Sequence, residues 1–281
     1  MDLIPWTDRR GRFDALRAAA FALLLAPALW IAWRAITDDL GPEPRNQAMH
    51  ESGRWALRFL ALALAVTPVG RILGEPRILA LRRMVGLGAL AWAAGHLVLY
   101  SALLNGNLLM VLSEIVQRIY LGIGTLALIG LVWLGATSTD AAMRRMGRGW
   151  KQLHRLVFPI TALALLHAFI QSKADISPSV FHAGLILGLL LWRLLPAGAA
   201  QRSLPALLGV VAAATLGATA LEWAWYAGTT PLPAGRVWAA NWDVAAAWDF
   251  GPRPAVQAGL WLLGFVVLAA GWRLAGRGRP A

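Results

Sequence analysis

The chain of 281 residues is 58% hydrophobic and only 14% charged, and its mean hydropathy is +0.59. This composition excludes an ordinary water-soluble fold and is typical of a membrane protein. In so apolar a chain, an excess of basic residues that gives a formal charge of +12 reflects how the helices are oriented in the membrane. It therefore argues against nucleic-acid binding. The absence of cysteine excludes disulfides, thiolate-bound metals and a cysteine nucleophile, which leaves the five histidines as the strong metal ligands.

Eight apolar segments approach the length of about 20 residues that a helix needs to cross a bilayer core. They are 15–33, 54–69, 84–104, 119–136, 154–171, 180–195, 204–226 and 255–272. None shows the alternation of a strand, so the sequence predicts an all-α fold, a polytopic transmembrane helical bundle. We expect a six-helix core over 1–200 and a C-terminal extension with two more helices over 201–281. The second helix is short unless it begins near His50, which would bring Arg54 and Arg58 into the membrane edge or interior.

The distribution of basic residues predicts the orientation of these helices. Most of the 26 Lys and Arg lie in the two tails and the even-numbered loops, so the positive-inside rule places both termini in the cytoplasm. Arg9-Arg10 resembles the start of a twin-arginine export signal. The segment nevertheless continues through the aromatic anchors Trp30 and Trp33 without a convincing cleavage site, so we expect a retained first helix.

The outer loop over 227–254 is rich in Pro, Gly and Trp and contains Trp238, Trp242 and Trp248. Tryptophan prefers the edge of a membrane, so an interfacial aromatic belt is the expected role. A docking surface for a partner is the alternative.

Two histidines lie at matched depth on different predicted helices. His96 follows Arg83, at the inner end of helix three, by about 13 residues, which is roughly 20 Å of helix. His167 follows His154, at the inner end of helix five, by the same number. The two imidazoles can therefore meet across one planar ligand, beyond the midplane and toward the outside. A six-coordinate b-type haem needs such a pair inside an apolar bundle; two hydrogen-bonded core histidines are the alternative.

The remaining histidines carry weaker signals. His154 lies near the inner face, and about 13 residues at 100° each place it on a different helix face from His167, although Pro159 can re-aim one end by a kink. A second haem, a weakly held haem and a flavin contact are all open for His154. His50 and His182 lie near outer helix ends, where water can satisfy them, and are expected to be structural.

Arg54 and Arg58 are one turn apart on one face of helix two. Guanidinium groups at this level suit haem propionates, or equally the phosphates of lipids. Gly122 and Gly124 lie inside an apolar helix and are predicted to be packing sites. No glycine-rich loop follows a strand, so we expect no NAD(P)H domain, and another protein or a diffusible carrier must deliver electrons.

Several motifs together resemble the MsrQ (YedZ) family, the haem-binding membrane subunits of bacterial methionine-sulfoxide reductase systems in the ferric-reductase-like transmembrane group. The resemblance covers roughly residues 15–200. The motifs are Gly53-Arg54-Trp55-Ala56-Leu57-Arg58-Phe59-Leu60, Thr67-Pro68, Arg82-Arg83-x-x-Gly86-Leu87, Ala91-Trp92-x-x-x-His96-Leu97-x-x-Tyr100, Thr137-Ser138-Thr139, Trp150-Lys151-Gln152-Leu153-His154 and Ile176-Ser177-Pro178.

The resemblance implies that His96, His154 and His167 occupy the haem-associated positions and that b-type haem and FMN are the cofactors. It further implies an electron-transfer subunit of the bacterial inner membrane, not a catalytic subunit. Electrons would come from a cytoplasmic flavin reductase and go to MsrP, a periplasmic molybdopterin enzyme that reduces methionine sulfoxide. The chain departs from the family pattern after about residue 200. The rival functions are a terminal ferric or cupric reductase and a haem-free transporter or scaffold.

Overall fold

A computed structural model describes residues 5–8, 10–172 and 175–277. Arg9, part of the suspected export signal, lies outside the described residues. Within them the chain is almost entirely helical and forms no strand; a single isolated bridge joins Thr7 and Phe13. The predicted all-α fold is therefore confirmed.

Thirteen α-helices are present in the described part of the chain. They are α1 (Ala15–Ile36), α2 (Pro44–Leu73), α3 (Arg82–Leu103), α4 (Leu108–Gln117), α5 (Ile119–Ala136), α6 (Asp140–Met146), α7 (Arg148–His154), α8 (Val157–Gln171), α9 (Ser177–Leu194), α10 (Leu204–Thr229), α11 (Ala234–Ala240), α12 (Val244–Phe250) and α13 (Pro254–Arg277). Short 3₁₀ helices occupy Pro76–Leu81 and Ala200–Arg202.

Eight spans among the described residues are long and apolar enough to cross a membrane. They match the eight predicted segments, and the chain is a multi-pass membrane protein. Helix α2 begins at Pro44, before His50, so Arg54 and Arg58 lie well inside a long helix. The sequence did not predict α4, a ten-residue apolar helix that is too short to span.

The fifth predicted segment is divided into α7 and α8 by a turn at residues 155–156. Pro159 lacks an N–H, so it cannot bond the carbonyl of Arg155 four residues earlier. That carbonyl instead accepts from the N–H of Phe158 at 3.1 Å, and the carbonyl of Leu156 accepts from Ile160 at 3.0 Å. Pro159 was predicted to kink the helix. In the structure the helix is instead broken just before the proline.

The described residues form two compact units. The first comprises Met1–Ala63 and Ala80–Gln171, and in it α5 packs against α3, α4 and α8 while α1 packs against α3. Its buried centre consists of Leu24, Phe59, Leu60, Ala89, Ala127, Leu131, Leu134 and Ile160. The predicted boundary between a core over 1–200 and an extension over 201–281 stays a prediction.

The second unit comprises Leu64–Leu79 and Ser172–Ala281, and helices α9, α10 and α13 pack against one another in it. Small residues fill the contact: Ala214, Ala218 and Ala258 are fully buried. A Cβ on Gly184 would lie 2.6 Å from the Cβ of Ala258, so only glycine permits this approach. Close packing through small residues is typical of helices in membranes.

A buried carboxylate anchors the loop between α10 and α13. Glu222 on α10 is fully buried. One carboxylate oxygen accepts from Asn241 Nδ2 at 2.8 Å, and the other pairs with the guanidinium of Arg253. This network, which we call the Glu222 clasp, ties the junction between α11 and α12 and the residues after α12 to the membrane helix α10.

We expect Glu222→Ala to destabilise the protein by roughly 3 kcal/mol, the lower end for breaking a buried ion pair. The lower end applies because the Arg253 side chain is 33% exposed and water partly replaces the lost partner. The midpoint of thermal unfolding in detergent measures the loss. Asp249→Ala, which removes an exposed acid from the same loop, is the matched control and should change stability by less than about 0.5 kcal/mol. Equal midpoints for the two variants would contradict a structural clasp.

Candidate functional site

The structure brings His96 and His167 together. His96 on α3 and His167 on α8 are both half-buried, and their ring centroids are 6.4 Å apart with an angle of 72° between the ring planes. Two imidazoles from different helices thus lie side by side in the first unit, as their matched depth predicts. Their role as iron ligands stays a prediction.

A backbone carbonyl of a neighbouring helix holds each ring. Nδ1 of His96 lies 2.9 Å from the carbonyl oxygen of Met49 on α2, and Nδ1 of His167 lies 2.8 Å from that of Tyr120 on α5. Because a carbonyl only accepts hydrogen bonds, Nδ1 must carry the proton in both rings. Nε2 therefore keeps its lone pair, which is the arrangement that a metal-binding histidine requires.

A cluster of aromatic side chains lies one turn before His96 on the side of α3 that leads to Arg83. Trp92 lies one turn before His96 on α3, and its ring centroid is 5.9 Å from Phe59 and 6.4 Å from Trp55. The indole N–H of Trp92 donates to the carbonyl of Leu24 at 3.0 Å, which satisfies its one polar group. The environment around Trp92, on one side of the pair, is therefore apolar, as a macrocycle buried in protein requires.

Arg54 and Arg58 are both accessible. The Arg54 side chain is 39% exposed and lies 3.9 Å from Glu51, whose carboxylate also accepts from Arg34 at 2.6 Å. Arg58 is exposed, and its guanidinium lies 4.4 Å from the centroid of the Trp55 ring. Neither guanidinium is enclosed by acids, so the assignment to propionates stays a prediction.

A polar cluster missed by the sequence analysis lies beside the histidine pair. Tyr100, one turn after His96, donates to Glu114 of α4 at 3.4 Å, and Glu114 forms a 2.6 Å ion pair with Arg118. Arg118 donates to the hydroxyl of Tyr120 at 3.2 Å, and this bond raises the pKa of Arg118 above its ordinary value. The sequence feature that could have revealed this cluster is the pair of Glu114 and Arg118, an acid and a base four residues apart. Both residues lie between the predicted spans, in a segment interpreted as a loop.

His154 has contacts of its own. Its Nε2 lies 3.2 Å from the hydroxyl of Thr137, and its ring stacks on Trp150 with centroids 3.9 Å apart and planes at 26°. Trp150 in turn donates to the carbonyl of Thr137 at 2.9 Å. None of the contacts described for His154 involves His96 or His167. The structure therefore places it in a separate environment, beside a flat aromatic surface.

The other two histidines differ from each other. His182 is buried in α9, and its Nδ1 lies 2.5 Å from the carbonyl of Pro178 within the same helix. Protein, not water, therefore contacts this ring, which corrects the expectation that water satisfies it. His50 on α2 is half-buried. Within the described residues, no group of three or more His, Asp or Glu side chains is arranged to hold a metal ion.

A basic patch covers α6, α7 and the turn that follows them. Its members are exposed and are Arg144, Arg145, Arg148, Lys151 and Arg155. At the start of α6, Asp140 pairs with Arg83 of α3 at 2.8 Å, which ties the patch to the helix that carries His96.

Comparisons with known proteins match this architecture. The family described as "Ferric reductase like transmembrane component" matches residues 52–165, a range that contains His96 and His154 and ends two residues before His167. A relative named "Protein-methionine-sulfoxide reductase heme-binding subunit MsrQ" in Xanthomonas euvesicatoria pv. vesicatoria is 39% identical over 191 residues, which are 67% of this chain and 88% of the relative.

Two further relatives carry the same name. The protein of Caulobacter vibrioides is 39% identical over 172 residues, or 60% of this chain and 81% of the relative. That of Xanthomonas campestris pv. campestris strain 8004 is 38% identical over 196 residues, or 67% of this chain and 90% of the relative. No solved structure matches the chain.

Proposed function

We propose a function that starts from one established fact: this chain belongs to the family of MsrQ haem-binding subunits of protein-methionine-sulfoxide reductases. In this proposal the chain is a membrane electron-transfer subunit, and a partner carries out the reduction of the sulfoxide. Electrons from a cytoplasmic flavin reductase pass through FMN and b-type haem across the bacterial inner membrane to the periplasmic reductase MsrP.

The pair of His96 and His167 is the observation that carries the proposal. A metal–imidazole bond is about 2 Å long, as in zinc sites, so two rings that share one metal have their centroids about 6 Å apart. The separation of 6.4 Å fits this requirement. The carbonyls of Met49 and Tyr120 keep the proton on Nδ1 and leave Nε2 of each ring to the iron.

The chain's own residues would hold and insulate the cofactor. Bound haem iron supplies one-electron chemistry, because it cycles between its ferric and ferrous states. Trp55, Phe59 and Trp92 exclude water from the inner side of the histidine pair. Arg54 and Arg58 are the candidate partners for the two propionates, because a guanidinium matches the fork of a carboxylate.

His154 is assigned to a cofactor on the cytoplasmic side. The stacked pair of Trp150 and His154 presents a flat aromatic surface, against which a porphyrin or a flavin ring can pack. The hydroxyl of Thr137 occupies Nε2 of His154, so a second haem here would require that contact to break. FMN beside His154 and a weakly held haem are the two forms of this assignment.

The orientation follows from charge. The basic patch of α6 and α7 lies on the side that the positive-inside rule places in the cytoplasm, together with both termini. The patch then faces the electron donor, and the histidine pair lies nearer the periplasmic acceptor.

The first test removes the ligands one at a time. We expect His96→Ala and His167→Ala to lose haem, and with it the Soret band of the purified protein, because b-type haem has no covalent attachment and each variant removes one of the two protein bonds to its iron. His154→Ala should retain the spectrum of the His96/His167 haem. Pyridine-haemochrome quantitation against protein concentration measures each loss, and His50→Gln, on α2, is the control that should retain haem.

The outcomes separate the rival functions. Wild-type protein without a Soret band would favour a haem-free transporter or scaffold. Loss of all haem in His154→Ala would contradict its assignment to a separate cofactor. Haem-loaded vesicles that reduce a ferric chelate, but do not support methionine-sulfoxide reduction when MsrP is added, would favour a terminal metal reductase, the function that the name of the matching family suggests.

The second test concerns the donor. Replacing Arg144, Arg148 and Lys151 together by Gln should slow haem reduction by the flavin reductase about tenfold or more at low ionic strength, because charge steering speeds encounter. Stopped-flow absorbance measures the rate. The rate in the variant should also depend less on salt. Arg45 and Arg236, exposed on the predicted outer side, replaced together by Gln are the matched control; an equal effect of this pair would contradict donor docking at the basic patch.

A further inference from the structure

The rings of His96 and His167 are held by the same arrangement of neighbouring backbone, which we call the seat of each ring. Each ring donates to a helix carbonyl, and the residue four positions after that carbonyl is a glycine: Met49 is followed by Gly53, and Tyr120 by Gly124. The two helices, α2 and α5, have no sequence in common around these positions. The repetition therefore reflects what the contact requires.

Helix geometry explains the requirement. A carbonyl in a helix points toward the N–H four residues later, and the Cα–Cβ bond of that later residue tilts back toward the N-terminus. A side chain there would stand between the carbonyl and any group approaching from another helix. Glycine leaves the carbonyl open, so an imidazole can reach it.

The available space in both seats is tightly limited. A Cβ on Gly53 would lie 3.0 Å from both Nδ1 and Cε1 of His96. A Cβ on Gly124 would lie 2.8 Å from Nδ1 and 3.0 Å from Cε1 of His167. The approach at Gly124 is closer than real Cβ atoms show, and that at Gly53 is at the limit, so an added methyl group would push each ring away from its carbonyl, and His167 further than His96. By contrast, a Cβ on Gly122 would meet only the carbonyl of Ile115, at an ordinary 3.6 Å.

We infer that Gly53 and Gly124 are positioning residues for the two iron ligands, which act by holding each imidazole Nδ1–H on its carbonyl. The inference rests on the proposed function. A hydrogen bond at Nδ1 raises the basicity of the ligand nitrogen, and a more basic ligand favours the ferric over the ferrous iron. The seats then lower the reduction potential of the haem in addition to fixing the rings. This role is in addition to the predicted helix-packing role of Gly124, which stays a prediction.

The two seats differ in one respect. The carbonyl of Met49 also accepts from the hydroxyl of Ser52 at 2.6 Å, and this hydroxyl lies 3.4 Å from Nδ1 of His96. The hydroxyl and the imidazole thus compete for one acceptor. Removing the hydroxyl leaves His96 as the one side-chain donor to this carbonyl among the described residues, so Ser52→Ala should shift the potential in the direction opposite to that of the glycine variants.

The experiment is a redox titration of purified, haem-loaded variants. Gly124→Ala should weaken the hydrogen bond of His167 and raise the midpoint potential; a tenfold change in the ferric-to-ferrous binding ratio, the lower end for second-shell changes, corresponds to about 59 mV for one electron. Gly53→Ala should shift it in the same direction by less, because its contacts are longer. The low-spin ferric EPR spectrum, which responds to the angle between the imidazole planes, should change as well.

Gly122→Ala, on the same helix as Gly124, is the matched control and should leave both the potential and the EPR spectrum unchanged. Loss of haem in Gly124→Ala at an unchanged gel-filtration profile also supports the seat, because the displaced ring no longer holds the iron. If Gly124→Ala and Gly53→Ala bind haem with wild-type potentials and EPR spectra, the inference fails while the proposed function stands. If the wild-type protein binds no haem at the pair, the proposed function fails first.

Discussion

The hydrogen bond from an imidazole Nδ1–H to the carbonyl of a neighbouring helix is the interaction on which the histidine pair depends. The interior of a bilayer offers no water to satisfy a ring nitrogen, so the protein must supply the acceptor. In a helical bundle nearly every such acceptor is a carbonyl already engaged within its own helix. His96 and His167 can share the carbonyls of Met49 and Tyr120 only where a glycine one turn later leaves them accessible, so ligand orientation and close helix packing come from the same residues.

The second unit meets the same constraint with a different result. Glu222 is fully buried on α10 and is stabilised by Asn241 and Arg253. Here both carboxylate oxygens of Glu222 have a partner, and the network fixes a loop. The two arrangements therefore differ: Glu222 is paired on both oxygens and holds structure, whereas each imidazole of the histidine pair is bonded at Nδ1 and keeps a lone pair on Nε2.

The sequence predicted what depends on composition and on distance along a helix. Hydropathy located all eight spans, and the rise per residue placed His96 and His167 at one level. The sequence did not predict contacts between the side chain of one helix and the backbone of another, because periodicity carries no information about them. For this reason Gly124 was predicted only to be a packing residue. The short helix α4 was not predicted, because an apolar segment of ten residues does not by itself indicate a helix. The break before Pro159 was predicted only as a kink.

The position of the histidine pair explains why the proposed function needs a second carrier. His154 ends α7, and His167 lies ten residues beyond the start of α8, or roughly 15 Å of helical backbone, which is about half of a hydrocarbon core about 30 Å thick. A single cofactor between His96 and His167 would lie close to a periplasmic acceptor and far from a cytoplasmic donor. The stacked Trp150 and His154 lie before the start of α8, beside the basic patch, on the side that the proposed function places in the cytoplasm. An electron entering there would have a first site near the donor, and the division of roles between two sites follows from the thickness of the membrane itself.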